Sequence, residues 1–257
     1  MGLADLVRNS ERALLPVLPR SLVLWLESLY FRRFGEPELA LLPQLARPGW
    51  DAVDIGGHEG SYSLFLRRLT RRVHVFEPIP WMAKALRQKF GDRITIHEEA
   101  LSSASGQAVL HFPRQSSFGA PTALASLDAA VLAGESDVVE IAVRTSRLDD
   151  HGFDRVGLIK IDVEGHEEAV LHGARATIER CRPNLIVEIE ERHAKGALAR
   201  IVAWFDGLAY DCFYYHEGRL MPIGARTAAD LQASGSPFVG GFYIRNFIFQ
   251  PREGAAR

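Results

Sequence analysis

Short apolar strands alternate with helices from about residue 49 onward, and this alternation restricts the fold more than any other feature. Strands are predicted at 50–55, 72–76, 94–97, 157–161 and 185–189, with helices at 61–68, 81–90 and 167–181. Parallel strands joined by helices form a sheet that is covered on both faces. We therefore expect an α/β fold with a doubly wound, mostly parallel sheet.

The residues before this alternation are predicted to be helical. We divide the chain into an N-terminal helical extension (1–48), an α/β domain (49–250) and a tail (251–257). Segment 21–33 is apolar around most of its helical circumference, which is typical of a helix buried in a core or in a homodimer interface. Attachment to a membrane surface is the weaker alternative, because the polar face of this helix is thin.

Composition, charge and the pattern of apolar residues indicate which partners and which cellular location to expect. The most apolar stretch, 22–31, is too short for a transmembrane segment, and the first residues lack the pattern of a secretory signal. Lys and Arg total 30 against 32 Asp and Glu, with a formal net charge of −2, so charge does not suggest a nucleic-acid partner. Cys181 and Cys212 form neither a zinc-binding nor a disulfide pattern. We expect a cytoplasmic protein.

Two segments interrupt the strand–helix rhythm. Residues 109–112 and 139–143 are predicted to pair as a hairpin. Between them, 113–136 is rich in Gly, Pro, Ser and Ala, and we expect a loop or lid with a short helix that covers the acceptor. Late in the chain, apolar residues within 242–249 predict one further strand.

A glycine-rich turn follows the first strand of the α/β region. The apolar residues up to Ile55 lead into Gly56 and Gly57, and then through Gly60 into a helix. Ligands of doubly wound sheets bind at the carboxyl ends of the strands, beside the topological switch point. Glycines there make a tight turn and let the backbone approach a ligand closely. Such a turn is weak evidence by itself.

An acidic residue ends the second strand. Glu77 follows Asp54 by 23 residues and precedes Pro78, which stops the strand. An acid at this spacing accepts hydrogen bonds from ribose hydroxyls. The turn has an acid two residues before Gly56 and lacks the G-x-G-x-x-G of dinucleotide enzymes. This pattern fits S-adenosylmethionine (SAM), which carries an ammonium group and no phosphate, better than NAD. An NAD-dependent oxidoreductase remains the alternative enzyme class.

The order of short motifs along residues 49–250 resembles the FkbM-type SAM-dependent methyltransferases. The matching segments are Asp54-Ile55-Gly56-Gly57-His58-Glu59-Gly60, Phe76-Glu77-Pro78, Ala100-Leu101-Ser102, Arg147-Leu148-Asp149, Ile159–Glu167, Val170–Ala174, Arg182-Pro183, Val187-Glu188-Ile189 and Asn246–Phe249. The family has Ala-Asn where this chain has Gly57 and His58. The resemblance implies a class I methyltransferase fold with a seven-stranded sheet, and O-methylation of small hydroxylated substrates such as sugars and polyketides.

The turn, the second strand and the resemblance together predict the cofactor contacts. They are Asp54, Gly56, Gly57, His58, Gly60, Tyr62, Glu77, Pro78, Ala100 and Leu101. The acceptor is predicted to be a small molecule or carbohydrate.

Acidic residues also end the fourth and fifth strands. If the fourth strand continues, Asp162 and Glu164 point to the same face, and with Glu188 they form an acidic mouth. This mouth suits the hydroxyls of a sugar and could hold a divalent cation, although we predict no metal. His193 is the preferred general base, because histidine titrates near neutral pH. Lys160 is expected to neutralise the acids. The non-enzymatic alternative is an inactive SAM-binding partner protein.

Overall fold

The computed structural model describes residues 20–114, 121–132, 137–233 and 242–254. Residues 1–19 of the N-terminal extension, two parts of the expected lid (115–120 and 133–136), residues 234–241 and the end of the tail (255–257) lie outside these residues.

The main sheet has eight strands. Its strands in spatial order are β10 (Arg219–Pro222), β9 (Tyr210–His216), β11 (Asn246–Pro251), β8 (Asn184–Glu188), β7 (Val156–Ile161), β1 (Asp51–Ile55), β2 (Val73–Phe76) and β3 (Thr95–His97). The five strands from β8 to β3 are parallel, whereas β11 runs antiparallel to both β8 and β9. The strand order reverses between β1 and β7, so the topological switch point lies between them.

The expected number of seven strands is wrong, because β10 adds an eighth. It pairs antiparallel with β9 through a two-residue turn. Both turn residues, Glu217 and Gly218, have positive φ angles of 48° and 78°, as a type I′ hairpin requires. The five predicted parallel strands lie within one residue of their observed bounds. Of the late apolar residues, only those from Asn246 form a strand.

A second, three-stranded sheet contains the predicted hairpin. β5 (Gly106–Pro113) pairs antiparallel with β6 (Val138–Ser146), and the short β4 (Ala100–Leu101) pairs parallel with β6. Within the part of 113–136 that is described, two short 3₁₀ helices span Pro121–Leu124 and Ala129–Leu132.

Helices cover both faces of the main sheet, as predicted. In chain order they are α1 (Arg20–Phe34), α2 (Leu42–Leu45), α3 (Ser61–Leu66), α4 (Pro80–Phe90), α5 (Glu167–Gly173), α6 (Arg175–Cys181), α7 (Ala197–Gly207) and α8 (Ala228–Leu231), with further 3₁₀ turns at Pro37–Leu41, Gly91–Arg93 and Leu148–His151. The predicted helix 167–181 is divided at Ala174 into α5 and α6. Side chains of β1, β7 and β8 pack into an apolar core on each face of the sheet.

The apolar helix α1 is buried along one side only. Val23 and Leu24 pack inward with exposures of 8% and 4%, whereas Trp25, Leu26 and Leu29 remain about half exposed. The expectation that this helix is buried thus holds for one side within the protomer, and a homodimer through the other side stays a prediction. Within the described ranges, no helix has both the length and the apolar character needed to cross a membrane.

Candidate active site at the carboxyl edge of the sheet

A cleft opens at the carboxyl ends of β1, β2, β7 and β8, at the switch point of the sheet. We call it the central cleft. Its lining includes twelve of the fourteen residues predicted for the site: Asp54, Gly56, Gly57, His58, Tyr62, Glu77, Pro78, Ala100, Leu101, Asp162, Glu164 and Glu188. Two others, Gly60 and His193, do not line it. The parallel strands therefore bring residues that are far apart in sequence to one edge, as the topology requires.

The glycine turn after β1 is held tightly against the sheet. Gly56 has a φ of 78°, and a Cβ atom built there would lie 1.9 Å from the carbonyl oxygen of Asp162. A Cβ at Gly57 would lie 2.1 Å from a methyl group of Val75. The space that these glycines leave open is thus filled by the protein itself. The tight turn expected from the sequence is therefore present, and because both glycines also line the cleft, their contact with a ligand stays a prediction.

Asp54 lies within β1 and is buried at the base of the cleft. Its carboxylate accepts a hydrogen bond from the Ser63 hydroxyl on α3, over 2.5 Å. Burial raises the pKa of Asp54 to about 6, although the Ser63 hydrogen bond opposes the shift. The carboxylate is therefore costly to keep ionised without a positive partner.

Glu77 follows β2 and is also buried, with an exposure of 3%. One carboxylate oxygen accepts the backbone N–H of His58 over 2.9 Å, and the other accepts that of Ile79 over 3.0 Å. Each oxygen has a further lone pair for a ligand hydroxyl. Burial raises the pKa of Glu77 to about 7, against the two amide hydrogen bonds. Glu77 thus joins the glycine turn to the second strand while lining the cleft.

The raised pKa of Glu77 predicts a pH dependence of stability. The folded protein binds this proton more tightly than the unfolded chain, whose glutamate pKa is near 4.5. The stability from this group is therefore fully present below pH 4.5 and is lost as pH rises through about 7. In urea unfolding between pH 5 and 8, the protein should lose up to about 1.4 kcal/mol per pH unit relative to Glu77→Gln. Parallel pH profiles of the two proteins would contradict this.

Lys160 is the positive centre of the cleft. It is 1% exposed, and its Nζ donates to Asn246 Oδ1 over 2.9 Å. The same Nζ lies 3.5 Å from an Asp162 oxygen and 3.8 Å from a Glu188 oxygen. Burial acts to lower the pKa of Lys160, but Asp162, Glu188 and Glu36 act together to raise it. The expectation that Lys160 neutralises the acids agrees with this arrangement.

A second cation comes from a part of the chain that sequence reasoning missed. Arg245, just before β11, lies 3.4 Å from Glu188 and 2.8 Å from Glu36. Glu36 also accepts the Tyr62 hydroxyl over 2.6 Å. Arg245 precedes a predicted motif and could have been found from it, whereas Glu36 lies in the extension and carried no signal. Lys160 contacts Asp162 and Glu188, and Arg245 contacts Glu188 and Glu36, so two cations offset part of the negative charge at this end of the cleft.

Asp162 and Glu164 do not share one strand face, contrary to expectation. β7 ends at Ile161, and Glu164 has a φ of 48° in the turn that follows. This turn separates the two carboxylates. Asp162 lies beside Lys160, while Glu164 lies beside His193, whose Nδ1 is 3.0 Å from Glu164 Oε2. Burial raises the pKa of Glu164, and the interaction with His193 opposes that shift.

The described part of the expected lid is packed against the cleft. Ser126 is fully buried, pairs with the backbone of His111, and donates its hydroxyl to the carbonyl of Glu164 over 2.6 Å. Thr122 lines the cleft and lies 3.2 Å from the ring of His58. The described part of the segment therefore lines the cleft. The burial of Ser126 shows that it is held more firmly than the Gly, Pro, Ser and Ala content of 113–136 suggested.

A sheet of this topology, with acids gathered at its switch point, is typical of α/β proteins that bind a ligand at the carboxyl ends of their strands. A family model described as the methyltransferase FkbM domain matches residues 54–212, more than half of the chain. The chain belongs to the FkbM methyltransferase family.

The individual relatives that we compared share less than 30% sequence identity with this chain. The 2-O-methyltransferase NoeI of Sinorhizobium fredii (strain NBRC 101917 / NGR234) is 28% identical over 155 residues, which cover 54% of this chain and 63% of that protein. The chain thus spans less than two thirds of this relative. Among solved structures, the methyltransferase FkbM from Methylobacillus flagellatus KT is 18% identical, with a TM-score of 0.49 over 96% of this chain and 60% of its own. Magnesium protoporphyrin IX methyltransferase from Synechocystis PCC 6803, with bound SAM, is 15% identical, with a TM-score of 0.41 over 83% and 74%.

Proposed function

We propose that the protein transfers a methyl group from SAM to a hydroxyl oxygen of a sugar, glycan or polyketide-like natural product. The observation that carries this proposal is the pair formed by Glu164 and His193. A carboxylate with a raised pKa faces the cleft, and an imidazole lies 3.0 Å behind it. A hydroxyl acceptor must lose its proton during methyl transfer, and such a pair is suited to take it. The relative named as a 2-O-methyltransferase supports oxygen as the acceptor atom.

The chemistry of the central cleft fits SAM. The cofactor carries an ammonium and a sulfonium, and the cleft offers the buried carboxylate of Asp54 and the partly exposed carboxylate of Asp162. Glu77 has lone pairs available for the ribose hydroxyls. Ala100 and Leu101, the two residues of β4, add apolar lining to the cleft. The family match favours this cofactor over NAD, which the sequence had left as an alternative.

When bound, SAM supplies an electrophilic methyl group and a good leaving group. The protein mainly has to align the acceptor oxygen with that methyl and to exclude water. We assign the proton of the acceptor hydroxyl to Glu164, with His193 positioning the carboxylate and sharing its charge. The segment 121–132 covers the cleft and holds Glu164 through the Ser126 hydroxyl.

Glu77→Ala should weaken SAM binding by about 1–3 kcal/mol, the range for a lost hydrogen bond to a charged group. Isothermal titration calorimetry measures this directly. The matched control is Asp92→Ala, which removes an exposed carboxylate from the turn after α4. If both variants bind SAM as the wild type does, Glu77 does not hold the ribose.

The reaction itself is tested with labelled SAM and a panel of sugars, glycans and macrolactones. Formation of S-adenosylhomocysteine together with an O-methylated product, identified by mass spectrometry and NMR, is the expected result. A protein that binds SAM but transfers no methyl group to any of them would favour the inactive partner protein. Methylation at nitrogen or carbon would contradict the choice of oxygen.

A further inference from the structure

Three side chains outside the central cleft come together where the main sheet meets the hairpin sheet. His97 ends β3, Glu99 lies between β3 and β4, and His151 belongs to the 3₁₀ turn after β6. His97 Nδ1 is 3.9 Å from Glu99 Oε1, and His151 Nε2 is 3.8 Å from the same oxygen. One ligand atom from each residue lies within 4.8 Å of the other two. None of the three lines the cleft.

We propose that His97, Glu99 and His151 form a binding site for a divalent transition-metal ion of the Zn²⁺ type. Two imidazoles and one carboxylate are ligands that suit such an ion. Bonds of 2.0–2.1 Å in a tetrahedral site place ligand atoms about 3.4 Å apart. The two distances from Glu99 Oε1 to the histidine nitrogens exceed this by only about half an ångström, and the two histidines lie within 4.8 Å of each other, so modest side-chain movement would close the site. The fourth position would be open to water.

The residues behind His97 support this site. Its second ring nitrogen, Nε2, lies 3.2 Å from His74 Nδ1, and His74 Nε2 lies 3.8 Å from Asp51. A histidine that binds a metal through one nitrogen usually donates the N–H of the other to a neighbouring acceptor. His74 is placed to accept that hydrogen bond and to direct its own N–H toward the buried Asp51 carboxylate. Such outer partners fix the orientation of a ligand ring.

Two other clusters of the described residues have carboxylates at similar spacing, but each already contains cations. In the cluster of Glu36, Asp162 and Glu188, Lys160 lies beside Asp162 and Glu188, and Arg245 lies beside Glu36 and Glu188. Glu164, Glu190 and His193 include a carboxylate that is paired on both oxygens with Arg192.

Around Glu99 the charges are different. Its ion-pair partners in the described ranges are the two histidines, and no Lys or Arg pairs with it. One competing contact is present, because Ser146 Oγ lies 3.0 Å from His151 Nε2. A bound ion would replace this hydrogen bond, and the Ser146 hydroxyl would turn aside.

The consequence of binding would be structural. An ion at this site would join the end of β3 to the turn after β6, and so would fasten the hairpin sheet to the main sheet. Glu99 directly precedes Ala100, which lines the central cleft, so the ion would also fix that part of the wall.

The test uses tag-free full-length protein, stripped with a chelator and titrated with Zn²⁺ or Co²⁺. We expect one ion per chain, a higher melting temperature with the ion, and Co²⁺ visible absorption of a site with nitrogen and oxygen ligands. His151→Ala and Glu99→Gln should weaken the ion's affinity by more than about 100-fold, and His74→Ala by about 10–100-fold. His172→Ala, at an exposed position on α5, is the matched control.

Circular dichroism and SAM-induced thermal shift check that each variant is folded. The proposal is overturned if the wild type shows no saturable binding of one ion. It is equally overturned if folded Glu99→Gln and His151→Ala bind Zn²⁺ as tightly as His172→Ala does.

Discussion

Replacing Glu164 with glutamine should lower kcat by about 10²–10⁴-fold, the usual contribution of general acid–base catalysis, while SAM still binds. His193→Ala should also lower kcat. His193 lowers the pKa of Glu164, which burial raises. Removing the imidazole therefore raises that pKa further, and the acid limb of the activity profile should move to higher pH. Steady-state kinetics from pH 5 to 9 measure both effects.

Two further variants locate the base. Asp162→Asn removes a carboxylate that lies beside Lys160, and His172→Ala removes an exposed histidine that does not line the cleft. If His193→Ala keeps nearly normal kcat and an unaltered pH profile, that residue has no part in the mechanism. If only Asp162→Asn loses activity with its SAM affinity intact, Asp162 takes the place of Glu164.

Lys160→Met should destabilise the fold by about 3–5 kcal/mol, the cost of leaving buried charge without its partner. The side chain is 1% exposed, and both Asp162 and Glu188 lie within 4 Å of its ammonium. Methionine fills the same space without the charge. Urea unfolding at pH 7 gives the free energy of unfolding.

The comparison variant is Lys84→Met, which removes an exposed lysine from α4 and should change stability by less than about 0.5 kcal/mol. In the double variant Lys160→Met with Asp162→Asn, part of the lost stability should return, because one unpaired charge is gone. A loss below 1 kcal/mol for Lys160→Met alone would show that the carboxylates do not depend on this ammonium.

Sequence periodicity predicted the parallel strands well because β1, β7 and β8 are buried along their whole length and β2 along most of it, whereas β3 is only partly buried. It missed β9 and β10 for a physical reason. Apolar and polar side chains mix at this side of the sheet, and the turn at Glu217 and Gly218 lacks the Asn-Gly or Asp-Gly signal of a tight hairpin. A strand of four residues such as β10 depends on its neighbour more than on its own sequence.

Sequence reasoning placed residues in one cleft most reliably where they lie at or near the end of a strand. The edge of a parallel sheet gathers such residues whatever their separation, which explains Asp54, Glu77 and Glu188 in one cleft. It was poor for Glu36, because no local pattern says where an extension will pack. It also did not predict that Asp162 and Glu164 point in different directions. The strand ends at Ile161, and Glu164 then adopts a positive φ in the turn that follows.

The ion pair between Glu36 and Arg245 joins residues separated by 209 positions. Until the later residue has been synthesised and β11 has inserted between β8 and β9, the acids of the cleft lack one of their two balancing cations. Contacts of such long sequence separation form late, because a large loop must close first. A nascent or partly folded chain will therefore hold most of its sheet before it holds a competent binding pocket, and the ability to bind ligand becomes a marker of completed folding.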